Sequence, residues 1–125
     1  MKLRMILTAA AAAIGLLPSV ASAQSSGGQF SGEGGKNVFE HVCQACHLTG
    51  GVGYPGAYPA LAKNPNLAAA AYPVTVVVNG MNAMPPLGRM LSDQQISDVV
   101  NYVRSNLGNT YKPTTTPADV AAARR

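Results

Sequence analysis

Cysteine is scarce in this chain, and so are long apolar runs and clusters of charge. The 125 residues include two cysteines, and the remaining sulfur belongs to five methionines. A structural zinc site needs four ligands, and no second cysteine pair is present to complete one. Nucleic acid binding requires a basic patch or stripe. The basic residues after the N-terminal segment are scattered and give a net charge of only about +2, which excludes that function class.

The longest apolar run, at residues 6–20, lies near the N-terminus. Two basic residues precede it, and three small residues ending at Ala23 follow it. This order is typical of a secretory signal peptide, which we predict to span residues 1–23. The run is also shorter than the ~20 residues that a spanning helix needs, although an uncleaved membrane anchor remains the alternative. We therefore expect a periplasmic protein with no membrane span after cleavage.

The predicted mature chain, from Gln24 onward, is long enough for one domain with a small core. Residues 24–33 are rich in Ser and Gly and are expected to be a flexible lead-in. Residues 34–125 form the predicted domain, with a C-terminal tail from about residue 109. Because so short a chain buries little apolar surface, a bound prosthetic group would stabilise it considerably.

Hydrophobic periodicity predicts two well-marked helices. Residues 36–45 carry apolar side chains at steps of three and four, which indicates a short amphipathic helix. Residues 92–107 form the clearest helix, in which Ser92 is the N-cap, Gln95 completes a capping box and Gly108 follows the end.

The other segments give weaker signals. Short helices are predicted at residues 65–71, after the possible N-cap Asn64, and at residues 116–123. Glycine and proline predict loops at residues 49–59 and 80–90. Residues 72–79 are ambiguous, because their valines favour a strand.

The two cysteines form the motif Cys43-Gln44-Ala45-Cys46-His47. A thiol–disulfide redox pair normally follows a strand in a βαβ unit, whereas a predicted helix leads into this motif. A zinc site would have to take His41 and His47 from the same short segment. Covalent haem attachment uses Cys-x-x-Cys-His and accounts for each residue type. Thiol redox chemistry and a plain structural disulfide remain alternatives.

In haem attachment, each thiol would form a thioether with a vinyl group, and the two intervening residues would span the gap between the vinyls. His47 would then coordinate the iron through a neutral ring. The signal peptide strengthens this interpretation, because such attachment takes place outside the cytoplasm. The predicted cofactor is one covalent haem c with its iron, held by Cys43 and Cys46. His41 is expected to have a surface or capping role.

The chain resembles the class I cytochromes c over residues 34–107. Gly35 and Phe39 precede the first cysteine by eight and four residues, as do the glycine and the aromatic residue of that family's first helix. Val99 and Tyr102 match the hydrophobic and aromatic positions of its C-terminal helix, which crosses the first.

Two further segments carry the resemblance. Pro59-Ala60-Leu61 is similar to the family's Pro-x-Leu, and residues 79–85 are similar to the segment that brings the axial methionine. The resemblance implies an all-α class I cytochrome c fold with about four to five short helices wrapped around one covalent haem. It also implies that residues 72–79 are helical, against their strand propensity.

A second axial ligand is expected among the methionines after the haem motif. Met84 is predicted to fill this position, because the following proline stiffens the loop that holds it. Met81 is the main rival, and Met90 is expected to be a core contact. Ligation by histidine and methionine raises the reduction potential of a haem.

The resemblance implies roles for the residues around the haem. The ring nitrogen of His47 that faces away from the iron is expected to donate to the carbonyl of Pro59, which fixes the ring orientation. Phe39, Leu61 and Tyr102 are expected to pack on or near the macrocycle.

The predicted function is outer-sphere electron transfer, so the chain is expected to be an electron carrier with no catalytic residue and not an enzyme. Electrons would cross at the thioether edge, near Ala45, Val52 and Ala83, through a small interface. Short matches within residues 79–104 and at residues 116–120 resemble the small cytochromes of periplasmic dehydrogenases. The resemblance implies a flavin, quinone or molybdenum dehydrogenase as the donor and a respiratory chain as the acceptor.

Three alternatives stay open from the sequence. The first is a free soluble shuttle between a quinol-oxidising complex and a terminal oxidase or another cytochrome. The second is a thiol–disulfide oxidoreductase that uses Cys43 and Cys46. The third is a peroxidase-like haem enzyme, which would need an open sixth position. The sequence does not indicate the oligomeric state.

Overall fold

The computed structural model describes residues 30–124, so the predicted signal peptide and most of the predicted lead-in lie outside the described residues. Within this range the elements are helical and none is a strand, which confirms the all-α fold class. None of these helices has both the length and the apolar character that crossing a membrane requires. In chain order the elements are α1 (Gly35–Val38), a π-helical turn (Phe39–Cys43), α2 (Gln44–His47), a 3₁₀ turn (Thr49–Gly51), a second 3₁₀ turn (Pro65–Leu67), α3 (Ala71–Asn79), α4 (Asp93–Ser105) and α5 (Pro117–Ala123).

The segments α1 and α2 are joined by the π-helical turn into one continuous helix over residues 35–47, which we call the N-terminal helix. It is longer than the predicted 36–45. Its most deeply buried side chains are Val38 and Phe39, which are almost fully covered. The π-helical turn ends on Cys43, and such wider turns are frequent at functional sites. The cysteine motif therefore lies in the last two turns of this helix.

α3 occupies Ala71–Asn79, so the helix implied by the resemblance is confirmed and the strand propensity of its valines is overridden. Val74 and Val78 are buried in the core. β propensity depends on packing context more than helix propensity does, and burial against α4 and α5 decides here.

The segment before α3 differs in extent from the prediction. The expected helix at residues 65–71 is only the 3₁₀ turn Pro65–Leu67. Asn64 caps this turn as expected, because its side chain accepts a hydrogen bond from the Asn66 backbone N–H at 2.9 Å.

α4 supplies the largest share of the core. Ile96, Val99 and Val100 are at most 2% exposed. The predicted capping box is confirmed: Ser92 Oγ accepts from the Gln95 N–H at 3.2 Å, and Gln95 Oε1 accepts from the Ser92 N–H at 2.9 Å. The helix ends at Ser105, two residues before the predicted end.

Gly35 lies where the N-terminal helix crosses α4. A Cβ atom at this position would come within 2.1 Å of the Asp98 carbonyl oxygen and 2.6 Å of Tyr102 Cβ. Both neighbours belong to a buried helix and cannot move aside without separating the two elements. The lack of a side chain at Gly35 therefore allows the two helices to approach this closely.

A Gly35→Ala substitution should lower the free energy of unfolding by about 3 kcal/mol, as overpacking against a rigid neighbour does. Denaturant unfolding followed by circular dichroism measures the loss. Gly50→Ala is the matched control, because a Cβ there meets nothing within 4 Å. Its left-handed backbone, with φ 69°, limits the expected cost to about 1 kcal/mol. Equal losses in both variants would contradict a close crossing at Gly35.

The predicted tail, from about residue 109, packs against the rest of the domain. α5 contacts both α3 and α4, and its Val120 is fully buried. A second capping box begins this helix: Thr116 Oγ1 accepts from the Asp119 N–H, and the Asp119 carboxylate accepts from the Thr116 N–H at 2.8 Å. The Thr116 hydroxyl also donates to this carboxylate at 2.8 Å, and together with the Thr116 N–H it holds the pKa of the exposed Asp119 carboxyl below its usual value. The C-terminal segment is thus part of the fold.

Candidate functional site

A cleft opens between the end of the N-terminal helix, the segment after it and one side of α3. Its enclosed volume is about 130 Å³, and the rest of the cleft is open to solvent. Its walls are mainly apolar and include Leu61, Leu67, Val76, Val77, Val99, Val100 and Val103. A second, overlapping part of the cleft is lined by Cys46, Tyr58, Met81, Ala83 and Pro85.

The two cysteines lie at the edge of this cleft as free thiols. Cys43 is partly buried and lines the inner part, whereas Cys46 is exposed and lines the outer part. Burial raises the pKa of the Cys43 thiol to about 12, so this thiol is protonated at neutral pH. Both sulfurs therefore border one apolar volume, as attachment of one planar group to both would require.

His47 lies between the cysteines and the interior, and it borders both parts of the cleft. It is 8% exposed. Its Nδ1 lies 2.9 Å from the carbonyl oxygen of Pro59. Because a carbonyl can only accept, Nδ1 carries the hydrogen and donates it, and Nε2 of the neutral ring keeps its lone pair. The backbone thus fixes the tautomer that can bind a metal through Nε2.

The segment after the motif folds back onto it through backbone hydrogen bonds. The Gly53 N–H donates to the His47 carbonyl at 2.8 Å. The N–H groups of Leu61 and Ala62 both donate to the Gly51 carbonyl, at 2.8 and 2.9 Å. These bonds bring residues 59–61 to the histidine, so the predicted Pro-x-Leu segment lies beside the motif.

Met84 borders both parts of the cleft, as His47 does. Its loop is closed by two backbone hydrogen bonds with Met81, at 2.9 and 3.0 Å. The loop is also fastened to the end of α3, since the Leu87 N–H donates to the Val77 carbonyl at 2.9 Å. Gly80 allows the tight return with φ 75°, where a Cβ would meet the Met84 carbonyl at 2.8 Å. The loop therefore holds Met84 at the cleft by short-range constraints.

The rival methionines have different surroundings. Met81 is 44% exposed and borders only the outer part of the cleft. Its sulfur lies 3.8 Å from the Tyr72 hydroxyl, which donates to it. Met90 is partly buried and lines neither part of the cleft.

The other predicted site residues divide into two groups. Pro59 and Leu61 line the cleft. Phe39 and Tyr102 do not line it, and their rings pack on each other with centroids 5.6 Å apart. These two rings hold the crossing of the N-terminal helix with α4. Their contact with a macrocycle stays a prediction.

His41 lies away from the cleft. It is exposed, and its Nδ1 lies 2.9 Å from the Asn37 carbonyl oxygen one turn earlier. Among residues 30–124, no three His, Cys, Asp or Glu side chains form a group that could hold a metal ion. Apart from the two cysteine sulfurs, the histidine nitrogen and methionine sulfur are the metal-binding atoms that line the cleft.

Sequence reasoning did not single out several residues of the cleft wall. Tyr72, Val76 and Val77 face it from α3, and Leu67 faces it from the 3₁₀ turn. The signal that could have found the α3 residues is the spacing of four between Tyr72 and Val76, which places both on one face of a helix. That signal was hidden because the segment also has strand propensity.

Exposed apolar and aromatic side chains lie at and beside the outer part of the cleft, and we call them the mouth patch. Tyr58, Tyr72 and Met81 line the outer part, and Val52 and Tyr54 line a shallow depression that also includes Tyr58. Val52 and Tyr54 are the most exposed, at 60% and 62%. Ala45 and Ala83, which were expected near the thioether edge, are also exposed. The large members of the mouth patch are Val52, Tyr54, Tyr58, Tyr72 and Met81. An exposed patch of this kind is typical of an interaction site.

These residues fit a covalently held haem. Two thiols, a histidine with a fixed tautomer and a methionine sulfur border one apolar volume. A macrocycle needs such apolar walls, and a neutral imidazole and a thioether are common axial ligands of haem iron.

Comparisons with known proteins agree with this geometry. The model of the family described as "Cytochrome C oxidase, cbb3-type, subunit III" matches residues 31–103. The cytochrome c subunit of gluconate 2-dehydrogenase from Pantoea cypripedii is 34% identical over 105 residues, which cover 73% of this chain and 24% of that subunit. The cytochrome c subunit of the quinone alcohol dehydrogenase from Gluconobacter oxydans is 34% identical over 113 residues, which cover 80% of this chain and 23% of that subunit.

A smaller relative matches over most of its own length. Cytochrome c6 from Bumilleriopsis filiformis is 42% identical over 80 residues, which cover 58% of this chain and 88% of that protein. By contrast, this chain spans about a quarter of the length of the two dehydrogenase subunits. The family match and the apolar cleft beside Cys-x-x-Cys-His show that the chain belongs to this cytochrome c family, whose cofactor is a covalently bound haem c.

Proposed function

We propose that this chain is an exported electron carrier in which Cys43 and Cys46 hold the haem by thioethers while His47 and Met84 are the axial ligands. The observation that carries the proposal is the hydrogen bond from His47 Nδ1 to the Pro59 carbonyl at 2.9 Å. It leaves Nε2 as the nitrogen free for a metal, on a side chain that lines an apolar cleft. Met84 lines the same cleft.

When bound, the haem supplies an iron that changes by one electron between its ferrous and ferric states. His47 and Met84 would remain bound to that iron in both oxidation states. The Pro59 carbonyl keeps the His47 ring from rotating. The closed loop keeps the Met84 sulfur at the cleft, and a soft thioether ligand favours the reduced state. The apolar walls exclude water, which raises the potential further.

The mouth patch is the proposed route for electrons. Its side chains are apolar or aromatic, and three of them, Tyr58, Tyr72 and Met81, line the outer part of the cleft together with the exposed Cys46. Electron-transfer complexes use small interfaces and separate readily. The net charge of about +2 predicted for the mature chain gives little long-range steering. Contact through this patch would bring a partner close to the edge of the haem that is bonded to the two cysteines.

The partner we propose first is a dehydrogenase for which this chain is the cytochrome subunit. The likeness to the cytochrome c subunits of gluconate and alcohol dehydrogenases supports this choice. A free shuttle between a quinol-oxidising complex and a terminal oxidase or other cytochrome is the second candidate. The match to most of the length of cytochrome c6, a small protein, favours it.

A thiol–disulfide oxidoreductase is the weakest candidate. Such an enzyme attacks as a thiolate, and its reactive cysteine has a lowered pKa. Here burial raises the pKa of Cys43 to about 12, which is the opposite shift. A peroxidase-like enzyme would need an open sixth position, which Met84 fills in this proposal.

Redox titration of the protein purified from the periplasm of a cytochrome-assembling host tests the proposed function. We expect a single one-electron transition with low-spin haem spectra in both oxidation states. A high-spin ferric spectrum would refute two protein ligands, and a colourless protein would refute the whole proposal. Intact mass of the same sample also tests cleavage after about Ala23.

Co-purification from the native periplasm separates the two candidate roles. A subunit should elute with a large dehydrogenase polypeptide in constant ratio, and added substrate of that enzyme should reduce the haem. A shuttle should elute alone at the size of this chain.

A Tyr54→Ser variant should weaken the contact with either kind of partner without changing the redox midpoint, because Tyr54 is 62% exposed.

A further inference from the structure

Asn109 is a buried polar residue beyond the end of α4, in the segment that the sequence suggested is only a tail. Its side chain is 6% exposed. Nδ2 donates to two carbonyl oxygens, that of Leu61 at 2.8 Å and that of Val103 at 2.7 Å. Oδ1 accepts from the Asn64 backbone N–H at 2.8 Å. Every hydrogen of the amide is therefore used inside the protein.

These three bonds join two parts of the molecule that are far apart in sequence. Val103 lies in the last turn of α4, where helix carbonyls lack partners inside the helix. Leu61 and Asn64 belong to the segment that passes the cleft after Pro59. A backbone bond from the Lys63 N–H to the Leu107 carbonyl, at 3.1 Å, supports the same junction.

The joined segment carries the group that orients His47. The Pro59 carbonyl, which accepts from His47 Nδ1, lies two residues before the Leu61 carbonyl that Asn109 binds. On its other side the segment is held by two N–H groups that share the single Gly51 carbonyl. Pro59 itself is exposed, so neighbouring side chains do not fix it by burial. Its position depends on the hydrogen bonds that hold the residues on either side: the Tyr54–Tyr58 backbone pair before it, at 2.8 and 2.9 Å, and the bonds of residues 61–64 after it.

We propose that Asn109 is a positioning residue for the axial histidine: it anchors residues 61–64 to the end of α4 and thereby holds the Pro59 carbonyl on His47 Nδ1. This inference rests on the proposed function, because it concerns the orientation of His47 as a haem ligand. Asn109 does not touch the cleft and acts only through the backbone of the segment.

Asn101 provides a matched control. Like Asn109, it is an asparagine whose side chain bonds to the backbone of a distant segment, but it joins α4 to the C-terminal segment. Its Nδ2 donates to the Thr115 carbonyl at 2.8 Å, and its Oδ1 accepts from the Thr115 N–H at 2.9 Å. Its bonds do not involve residues 59–64. Loss of Asn101 should therefore weaken the packing of the C-terminal segment without releasing Pro59.

The test compares Asn109→Ala with Asn101→Ala in the reduced, haem-bound protein. Nuclear magnetic resonance measures exchange of the His47 Nδ1–H with solvent, divided by exchange of the Val99 backbone N–H, which reports opening of the core. We expect the ratio to rise at least tenfold in Asn109→Ala and to stay at the wild-type value in Asn101→Ala. An unchanged ratio in Asn109→Ala, or an equal rise in both variants, would overturn the proposal.

A second variant covers the case in which Asn109→Ala yields no haem protein. Asn109→Ser keeps a small neutral side chain with one donor, and we expect a smaller rise in the same ratio. If both variants fail to fold, Asn109 is a folding residue and the proposal is wrong. Wild-type protein without haem, or without a His47 Nδ1–H signal, would instead refute the proposed function.

Discussion

A Cys43→Ala, Cys46→Ala double variant is expected to be exported as a colourless protein that retains no haem after denaturation. The two sulfurs border one apolar cleft, and without them no covalent bond can hold the macrocycle. The chain should also unfold at a lower temperature, because a group bound only by the folded state stabilises that state. Haem staining after denaturing electrophoresis and thermal unfolding measure the two effects.

The matched control is Gln44→Ala, which alters the residue between the two anchors and leaves both sulfurs. It should stain for haem as strongly as the wild type. Single Cys43→Ala and Cys46→Ala variants should retain less haem than the control. Covalent haem at the wild-type level in the double variant would contradict attachment at this motif.

A Met84→Ala variant is expected to keep its covalent haem and lose its sixth ligand. The ferric protein should lose the sulfur-to-iron charge-transfer band that His/Met haems show, and it should bind added imidazole. Its reduction potential should fall by on the order of 0.1–0.3 V, since axial ligands set haem potentials over roughly 0.8 V. Absorption spectra and redox titration measure both changes.

Met81→Ala is the matched control, because Met81 closes the same loop but has its sulfur beside the Tyr72 hydroxyl. It should keep the charge-transfer band and a potential close to that of the wild type. If the band survives in Met84→Ala and disappears in Met81→Ala, the assignment of the sixth ligand is reversed.

Local chemistry explains why parts of the fold could be predicted from the sequence. The capping box of Ser92 and Gln95 needs only residues three apart and a helix behind them, and it is present as predicted. The cap at Asn64 is equally local. The motif at residues 43–47 indicated the cofactor for the same reason, because five consecutive residues contain the proposed anchors and a proposed ligand.

α3 shows where local signals fail. Its valines favour a strand when counted one by one, and the helix followed only from the resemblance to a family. Burial of Val74 and Val78 against neighbouring helices decides the structure, and a single sequence does not contain that contact. The helix predicted at residues 65–71 is only the turn Pro65–Leu67. The reason is related, because a capping residue marks where a helix begins and does not determine its length.

The buried polar contacts at the end of α4 and just after it were the least predictable part of the structure. Arg104 is 4% exposed, and its guanidinium donates to the Leu67 and Ala68 carbonyls at 2.9 and 3.0 Å. Asn109 reaches Leu61 across 48 positions of sequence. Such partners are backbone carbonyls, which carry no sequence signature. A buried polar side chain that binds them therefore looks like an ordinary surface residue until the fold is known.

A peptide mass map of the exported wild-type protein tests the central claim most directly. We expect one haem on the peptide that contains residues 43–47, with both Cys43 and Cys46 converted to thioethers. Finding that peptide with two unmodified thiols, or with the two sulfurs joined to each other, would contradict it.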